Sequence, residues 1–249
     1  MNAMLFAAGL GTRLKPLTNN KPKALIEVNG MTMLQMALKK MENSGIRKVV
    51  VNIHHFSDLM IEEINRFRSD CMEVVVSDES DQLLDTGGGL LKARPLFDAN
   101  SPVLLYNVDI VTTARLKDFI AFHHTHTGIA SLMVKERPTS RHLLFNDRME
   151  LSGWENTSSG ERIITKETSH FHSYGFQGIH ILEPRIFDLM TESGKFPIME
   201  LYLRLARDHT FMGYESRNDL WFDIGTPKKL ETTRNAVEQM SEDKKRQLF

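Results

Sequence analysis

The chain opens Met1-Asn2-Ala3-Met4-Leu5-Phe6-Ala7 and runs straight into Ala8-Gly9-Leu10-Gly11-Thr12-Arg13-Leu14-Lys15-Pro16-Leu17-Thr18, with Lys21-Pro22-Lys23 close behind. A short apolar run halted by glycines reads as a buried strand feeding a ligand-binding loop. Glycine lets the backbone approach a ligand closely and turn its N–H groups toward phosphate oxygens. Two common phosphate loops are excluded. A dinucleotide fingerprint needs glycine where Leu14 stands, and an acidic residue closing the second strand, which Val49-Val50-Val51-Asn52-Ile53-His54 lacks. The GxxxxGK[ST] loop of ATPases is absent as well.

Outward from this loop the hydrophobic period alternates. Met33, Leu34, Ala37, Leu38 and Met41 recur at helical spacing, and Gly45 follows as a stop. Lys48–Ile53 is a buried-strand run. Ser57–Phe67 is helical through Leu59, Ile61, Ile64 and Phe67, and Met72–Val76 and Val103–Tyr106 are again short apolar runs. This β-α-β-α order predicts an α/β fold with a parallel or mostly parallel sheet and helices on its faces. Past about residue 128 the pattern shifts. Strands are expected at Ile129–Val134 and Tyr174–Leu182 around a turn-rich stretch, Asn156–Gly160, with helices at Phe187–Met190, Pro197–Ala206 and 227–240. One domain over 1–240 is expected: a nucleotide-binding half to about 128, a sugar-phosphate-binding half from 129, and a charged tail, 241–249, that frays.

The formal charge of −1 offers no general attraction to nucleic acid or an anionic membrane, so a polyanionic ligand must be held by a few placed cations. The lone cysteine, Cys71, cannot form an internal disulfide and fits a reducing compartment. Neither a secretory signal nor a membrane-length apolar run is visible, so a cytoplasmic location is expected.

Gly-x-Gly-Thr-Arg, then Pro16-Leu17-Thr18 and Pro22-Lys23 at these separations, resembles the signature loop of the sugar-nucleotide pyrophosphorylase family of nucleotidyltransferases. The resemblance implies a three-layer α/β/α Rossmann-like nucleotide-diphospho-sugar transferase fold with a mixed, mostly parallel central sheet. It also implies a reaction in which a sugar 1-phosphate attacks the α-phosphorus of a nucleoside triphosphate and releases pyrophosphate. Two polyanions must meet, so their repulsion has to be neutralised and the attack held in line. The rigid fork of Arg13 suits the triphosphate and departing pyrophosphate, and the compact charge of Lys23 suits a bridge between the two phosphates. Ala7, Ala8, Gly9, Gly11 and Thr12 would complete the loop around the nucleotide.

By the same resemblance, Mg²⁺ ligands are Asp109, ending Leu104-Leu105-Tyr106-Asn107-Val108-Asp109, and Asp223, in Asp223-Ile224-Gly225-Thr226. Oxygen donors suit this ion. Val108 replaces the family's glycine, and a β-branched residue resists φ > 0, which would make the local geometry differ. Leu84-Asp85-Thr86-Gly87-Gly88-Gly89 suggests close approach of something planar. In the family this loop packs on the nucleobase, assigning Thr86, Gly87 and Gly88 to the nucleotide. Its form, with Tyr174-Gly175-Phe176-Gln177-Gly178-Ile179, is most like the branch that uridylylates N-acetylmuramate 1-phosphate in cell-wall recycling. The guanylyltransferases of mannose 1-phosphate share much of the pattern. Asn107, Gln177 and Gly178 are candidate sugar contacts, and Lys166-Glu167 match the family poorly.

The His123-His124-x-His126, His54-His55 and His170-x-His172 groups match no zinc spacing, and the first reads as cations at a helix C-terminus. Two other functions compete. A non-catalytic nucleotide-sugar-binding regulator would not need Arg13, Lys23, Asp109 and Asp223 together. A phosphocholine cytidylyltransferase would carry an aromatic cage that Tyr174 and Phe176 alone do not make. The expected state is a monomer or homodimer, with no nucleic-acid or membrane partner.

Overall fold

The computed structural model describes residues 1–249. Its first half comprises β1 (Asn2–Phe6), a small ribbon of β2 (Glu27–Val28) and β3 (Met31–Thr32), α1 (Met33–Asn43), β4 (Lys48–Ile53), α2 (Ser57–Arg66), β5 (Glu73–Asp78), α3 (Asp85–Ala93), β6 (Val103–Asn107), β7 (Ile110–Thr112) and α4 (Leu116–His123). There follow β8 (Ala130–Lys135), β9 (Arg141–Phe145), β10 (Leu151–Asn156), β11 (Glu161–Ile164), β12 (His172–Leu182), α5 (Ile198–Leu205), β13 (Phe211–Glu215), β14 (Trp221–Asp223), α6 (Pro227–Glu238) and α7 (Glu242–Arg246).

The central sheet runs β11-β10-β9-β12-β6-β1-β4-β5, with β8 branching from β12 and β13 pairing outside β8. It is mixed. β6, β1, β4 and β5 are mutually parallel, and β12 then pairs antiparallel with β6, β8 and β9. Strand alternation feeds two cores, one on each face. Ala3 and Leu5 of β1, with Val49, Val51 and Ile53 of β4, bury against α1, whereas Met4, Val50 and Leu105 bury on the opposite face with Leu90 and Tyr202. Helix α1 starts where Thr32 accepts the Gln35 N–H and the Gln35 side chain answers the Thr32 N–H, a reciprocal cap.

Three expectations change. The antiparallel part is larger than expected: β9, β10 and β11, which the apolar periods do not mark as strands, add an antiparallel meander beside β12, and β13 adds a further strand parallel to β8. Phe187–Met190 is no α-helix: only a 3₁₀ turn forms, over Pro184–Asp188, too short to repay α-helix nucleation. The tail does not fray. Residues Glu242–Arg246 form α7, Leu248 is buried, and the Lys40 ammonium donates to the Gln247 carbonyl at 2.8 Å.

Candidate active site

The chain steps from β1 to β4 and β5 on one side, then returns to place β6 on the other side of β1. Loops leaving adjacent parallel strands in opposite directions open a crevice at the strands' carboxyl ends. The loop after β1 and the segment after β6 line that crevice, a cleft of about 320 Å³ touched by Ala7, Gly9, Lys23, Thr86, Asn107 and Asp109. Gly11 sits at φ 62, and a side chain there would press on Lys23 and Thr18 at 3.1 Å. Thr18 donates to the Gly11 carbonyl at 2.9 Å. The loop therefore folds back on itself and delivers Lys23 to the cleft.

The two acids, far apart in sequence, meet through the β7–β14 ribbon. Asp223 is in register with Ile110, and the Ile224 N–H donates to the Asp109 carbonyl at 3.1 Å. Lys23 forms an ion pair with Asp109, and Lys229, one turn into α6, pairs with Asp223. Burial alone would lift the Asp223 carboxyl, but the Lys229 ammonium, the Gly225 N–H and the charge of Lys23 hold it below the ordinary carboxylate range. Arg13 projects its guanidinium to the same place, where a side chain on Gly225 would meet it at 3.3 Å. Arg13, Lys23, Asp109 and Asp223 thus share one location. Val108 is not in the positive-φ region, so it needs no glycine-like backbone to present Asp109.

Two part-exposed carboxylates a ladder step apart fit a hard divalent cation, and both already attract ammonium groups. No third His, Cys, Asp or Glu joins them. The remaining ligands of such an ion would be waters and phosphate oxygens, as suits Mg²⁺.

Several predicted residues sit differently from their assigned use. The Ala7 and Ala8 N–H groups donate to the Asn52 carboxamide oxygen, at 2.7 and 3.3 Å, rather than standing free for phosphate. Asn52 in turn donates to the wholly buried Glu79, whose other oxygen accepts the Leu84 N–H. Burial lifts the Glu79 carboxyl, and these bonds only partly offset it. The glycine triplet is packed by the chain itself: a side chain on Gly87 would overlap the Phe196 ring, one on Gly88 the Gly194 carbonyl, and one on Gly89 the Glu79 carboxylate. Gly87 and Gly88 are buried and do not line the cleft, whereas Thr86 does, with its hydroxyl accepting the Ile198 N–H at 2.9 Å.

On the sugar side, Gly178 at φ 71 leaves room for the Asn107 carboxamide, 2.6 Å from where a Cβ would stand. Gln177 is fully buried; its side chain donates to the Val134 carbonyl and its own carbonyl accepts the Trp221 indole N–H. Lys166 bonds the His209 carbonyl and belongs to the scaffold. Thr12 is exposed beside Arg13.

Sequence reasoning missed Asn52, Lys229, Arg137 and Lys195, the last of which lines the cleft beside Thr86 and Asp109. Asn52 lay in the very run read only for its lack of an acid, and Lys229 follows Asp223 by six residues inside a helix capped by Thr226. Arg137 stacks on Trp221 at 4.3 Å and bonds the Phe176 carbonyl; it carries no motif. The histidines form no metal site. His123 is buried between Ser131 and Glu183, and desolvation takes it down to about 4, so it is neutral rather than a helix-terminal cation.

Comparison with known proteins agrees with this geometry. The family model described as Nucleotidyl transferase matches residues 2–240, and the chain belongs to that family. The chain is 30% identical over 234 residues to N-acetylmuramate alpha-1-phosphate uridylyltransferase of Caulobacter vibrioides, covering 90% of this chain and 92% of that protein. It is 24% identical to mannose-1-phosphate guanyltransferase of Pichia angusta, over 92% of this chain but only 62% of that longer protein. Among solved structures, UDP-glucose pyrophosphorylase from Acinetobacter baumanii superposes with a TM-score of 0.77 at 15% identity, covering 96% and 94% of the two chains. HddC from Yersinia pseudotuberculosis, complexed with GMP-PN, gives 0.74 at 19%, covering 94% and 98%. The nucleotide-diphospho-sugar transferase fold expected from the sequence is therefore the fold observed. No helix is long and apolar enough to cross a membrane.

Proposed function

We propose that this protein transfers a nucleoside monophosphate, uridylyl by preference, from a nucleoside triphosphate to a sugar 1-phosphate, with N-acetylmuramate 1-phosphate as the acceptor. A phosphate oxygen of the sugar attacks the α-phosphorus, the bond from that phosphorus to the β-phosphate oxygen breaks, and pyrophosphate leaves. Arg13 neutralises the departing pyrophosphate, and Lys23 bridges the incoming phosphate and the α-phosphate. Asp109 and Asp223 would hold Mg²⁺, which supplies charge neutralisation and orientation at the α-phosphate. Lys23 pairs with Asp109, which keeps its ammonium beside the acids where the phosphates would lie.

The observation that carries this reading is the meeting of Lys23, Asp109 and Asp223 across the β7–β14 ribbon. The preference for uridine and N-acetylmuramate rests on the relative matched over nearly its whole length. A second reading, GTP with mannose 1-phosphate, is favoured by the guanyltransferase relatives. Pyrophosphate release across the four nucleoside triphosphates and a panel of sugar 1-phosphates separates them. UTP with N-acetylmuramate 1-phosphate is the expected pair. Turnover only with GTP and mannose 1-phosphate selects the second reading. Nucleotide binding without any turnover defeats both.

A further inference from the structure

The start of the loop after β1, the end of β4 and the turn from β5 into α3 meet at the cleft. Asn52 and Glu79 join them. The Asn52 carboxamide oxygen accepts the Ala7 and Ala8 N–H groups, and its amino group donates to one Glu79 oxygen at 2.7 Å. The other Glu79 oxygen accepts the Leu84 N–H at 3.2 Å. Asn52 is 3% exposed and Glu79 is fully buried, so these groups depend on one another for partners. Gly89 of α3 covers the network closely: a side chain there would stand 2.7 Å from the Glu79 carboxylate and 3.1 Å from the Asn52 amino group.

The direction of this chain of bonds is set from both ends. The backbone N–H groups of Ala7, Ala8 and Leu84 can only donate. Asn52 must therefore turn its oxygen to the loop and its amino group to residue 79, which must accept at both of its oxygens. An ionised carboxylate, which has acceptors only, is the side chain that fits, whereas an amide there would set one donor against another. A buried donor facing a donor is costly. Gly9 follows Ala8, Thr86 follows Leu84 by two residues, and both line the cleft. The relay thus fixes the spacing between these two lining segments.

Building on the nucleotidyl-transfer reading above, we propose that Asn52 and Glu79 are positioning residues for the nucleoside triphosphate, a one-way hydrogen-bond relay that holds the loop after β1 in place relative to Thr86. A loop freed at Ala7 and Ala8 has to be ordered by the ligand, which weakens nucleotide binding. Glu79→Gln sets an amide against one of its two donors, and Asn52→Asp sets two carboxylates together. In steady-state pyrophosphate release each should raise KM for UTP roughly 10- to 100-fold and change KM for the sugar 1-phosphate by less than about threefold. The double variant Asn52→Asp/Glu79→Gln reverses the relay: the new carboxylate accepts from Ala7, Ala8 and the new amide, whose oxygen accepts the Leu84 N–H. It should recover most of the lost UTP affinity. Calorimetric titration with UTP reads the same order without turnover, urea midpoints report the folding of each variant, and GTP replaces UTP if the panel above selects it. Single variants with the wild-type KM, equal losses toward both substrates, or a double variant no better than the singles in nucleotide binding and urea midpoint overturns the relay and leaves the transfer reaction standing. Nucleotide binding in this order without turnover of any sugar 1-phosphate defeats the reaction and keeps the relay, and no nucleotide binding at all defeats both.

Discussion

Lys23 is held to Asp109 in a site that Asp223 and Arg13 also face, so it is the side chain whose removal should be felt most. Lys23→Ala is expected to lower kcat/KM by roughly 10²- to 10³-fold, the loss typical of one preorganised electrostatic contact, with little change in the urea midpoint. The glycines divide by what surrounds them. A side chain on Gly88 would stand 2.2 Å from the Gly194 carbonyl, a backbone atom that cannot yield cheaply. Gly88→Ala should therefore destabilise by about 1–3 kcal/mol in urea denaturation. Gly9 has open space around it. Gly9→Ala should keep its stability and lose activity, because only the bound nucleotide would meet the new methyl. The residue types of the site were legible in the opening loop, since charge and glycine at fixed separations carry the chemistry. Their local partners were not: nothing in the sequence shows that Asn52 occupies the Ala7 and Ala8 N–H groups, because the contact spans two parallel strands.

At the scale of elements, the longer helices and strands of the first half could be read closely, as Lys48–Ile53 and the Met33–Met41 period inside α1 show. Their apolar periods are long and uninterrupted because both faces of the parallel sheet are buried. Strands β9, β10 and β11 carry no regular alternation of buried and exposed positions, and the β7–β14 ribbon is only three residues long. Its pairing, which joins Asp109 to Asp223, is set by the whole fold and leaves no local trace. The C-terminal helix shows the converse: charged in sequence, it is still docked. Leu248 is 3% exposed and joins the core around α1, while Lys40 ties Gln247 to Thr112 of β7. Leu248→Ala should cost about 2–3 kcal/mol by urea denaturation, within the range for a buried leucine. An unchanged midpoint would show that the tail is not packed.

Across the whole molecule, two buried histidines give stability a pH dependence. Burial takes His123 down to about 4 and His180, whose Nδ1 lies 2.5 Å from the Tyr202 hydroxyl, down to about 3, against an ordinary value of 6.5. Both are bases kept neutral by folding, so the unfolded chain takes up protons first as pH falls below 6.5. Their contribution is fully present above that pH and is lost progressively toward about 4 and about 3. Between pH 7 and pH 5 the unfolding free energy should drop by roughly 4 kcal/mol from these two groups, and a flat profile would contradict their burial. The proposed transfer is electrostatic in origin: two acids brought together by the fold would gather a divalent ion and a lysine about one phosphorus atom. Its most direct test is pyrophosphate release as a function of Mg²⁺ concentration in the wild type and in Asp109→Asn. Saturable Mg²⁺ dependence, abolished by chelation, is expected in the wild type, and a shift to much higher Mg²⁺ with a collapsed maximum in the variant. Full activity of Asp109→Asn at the wild-type Mg²⁺ requirement would contradict it.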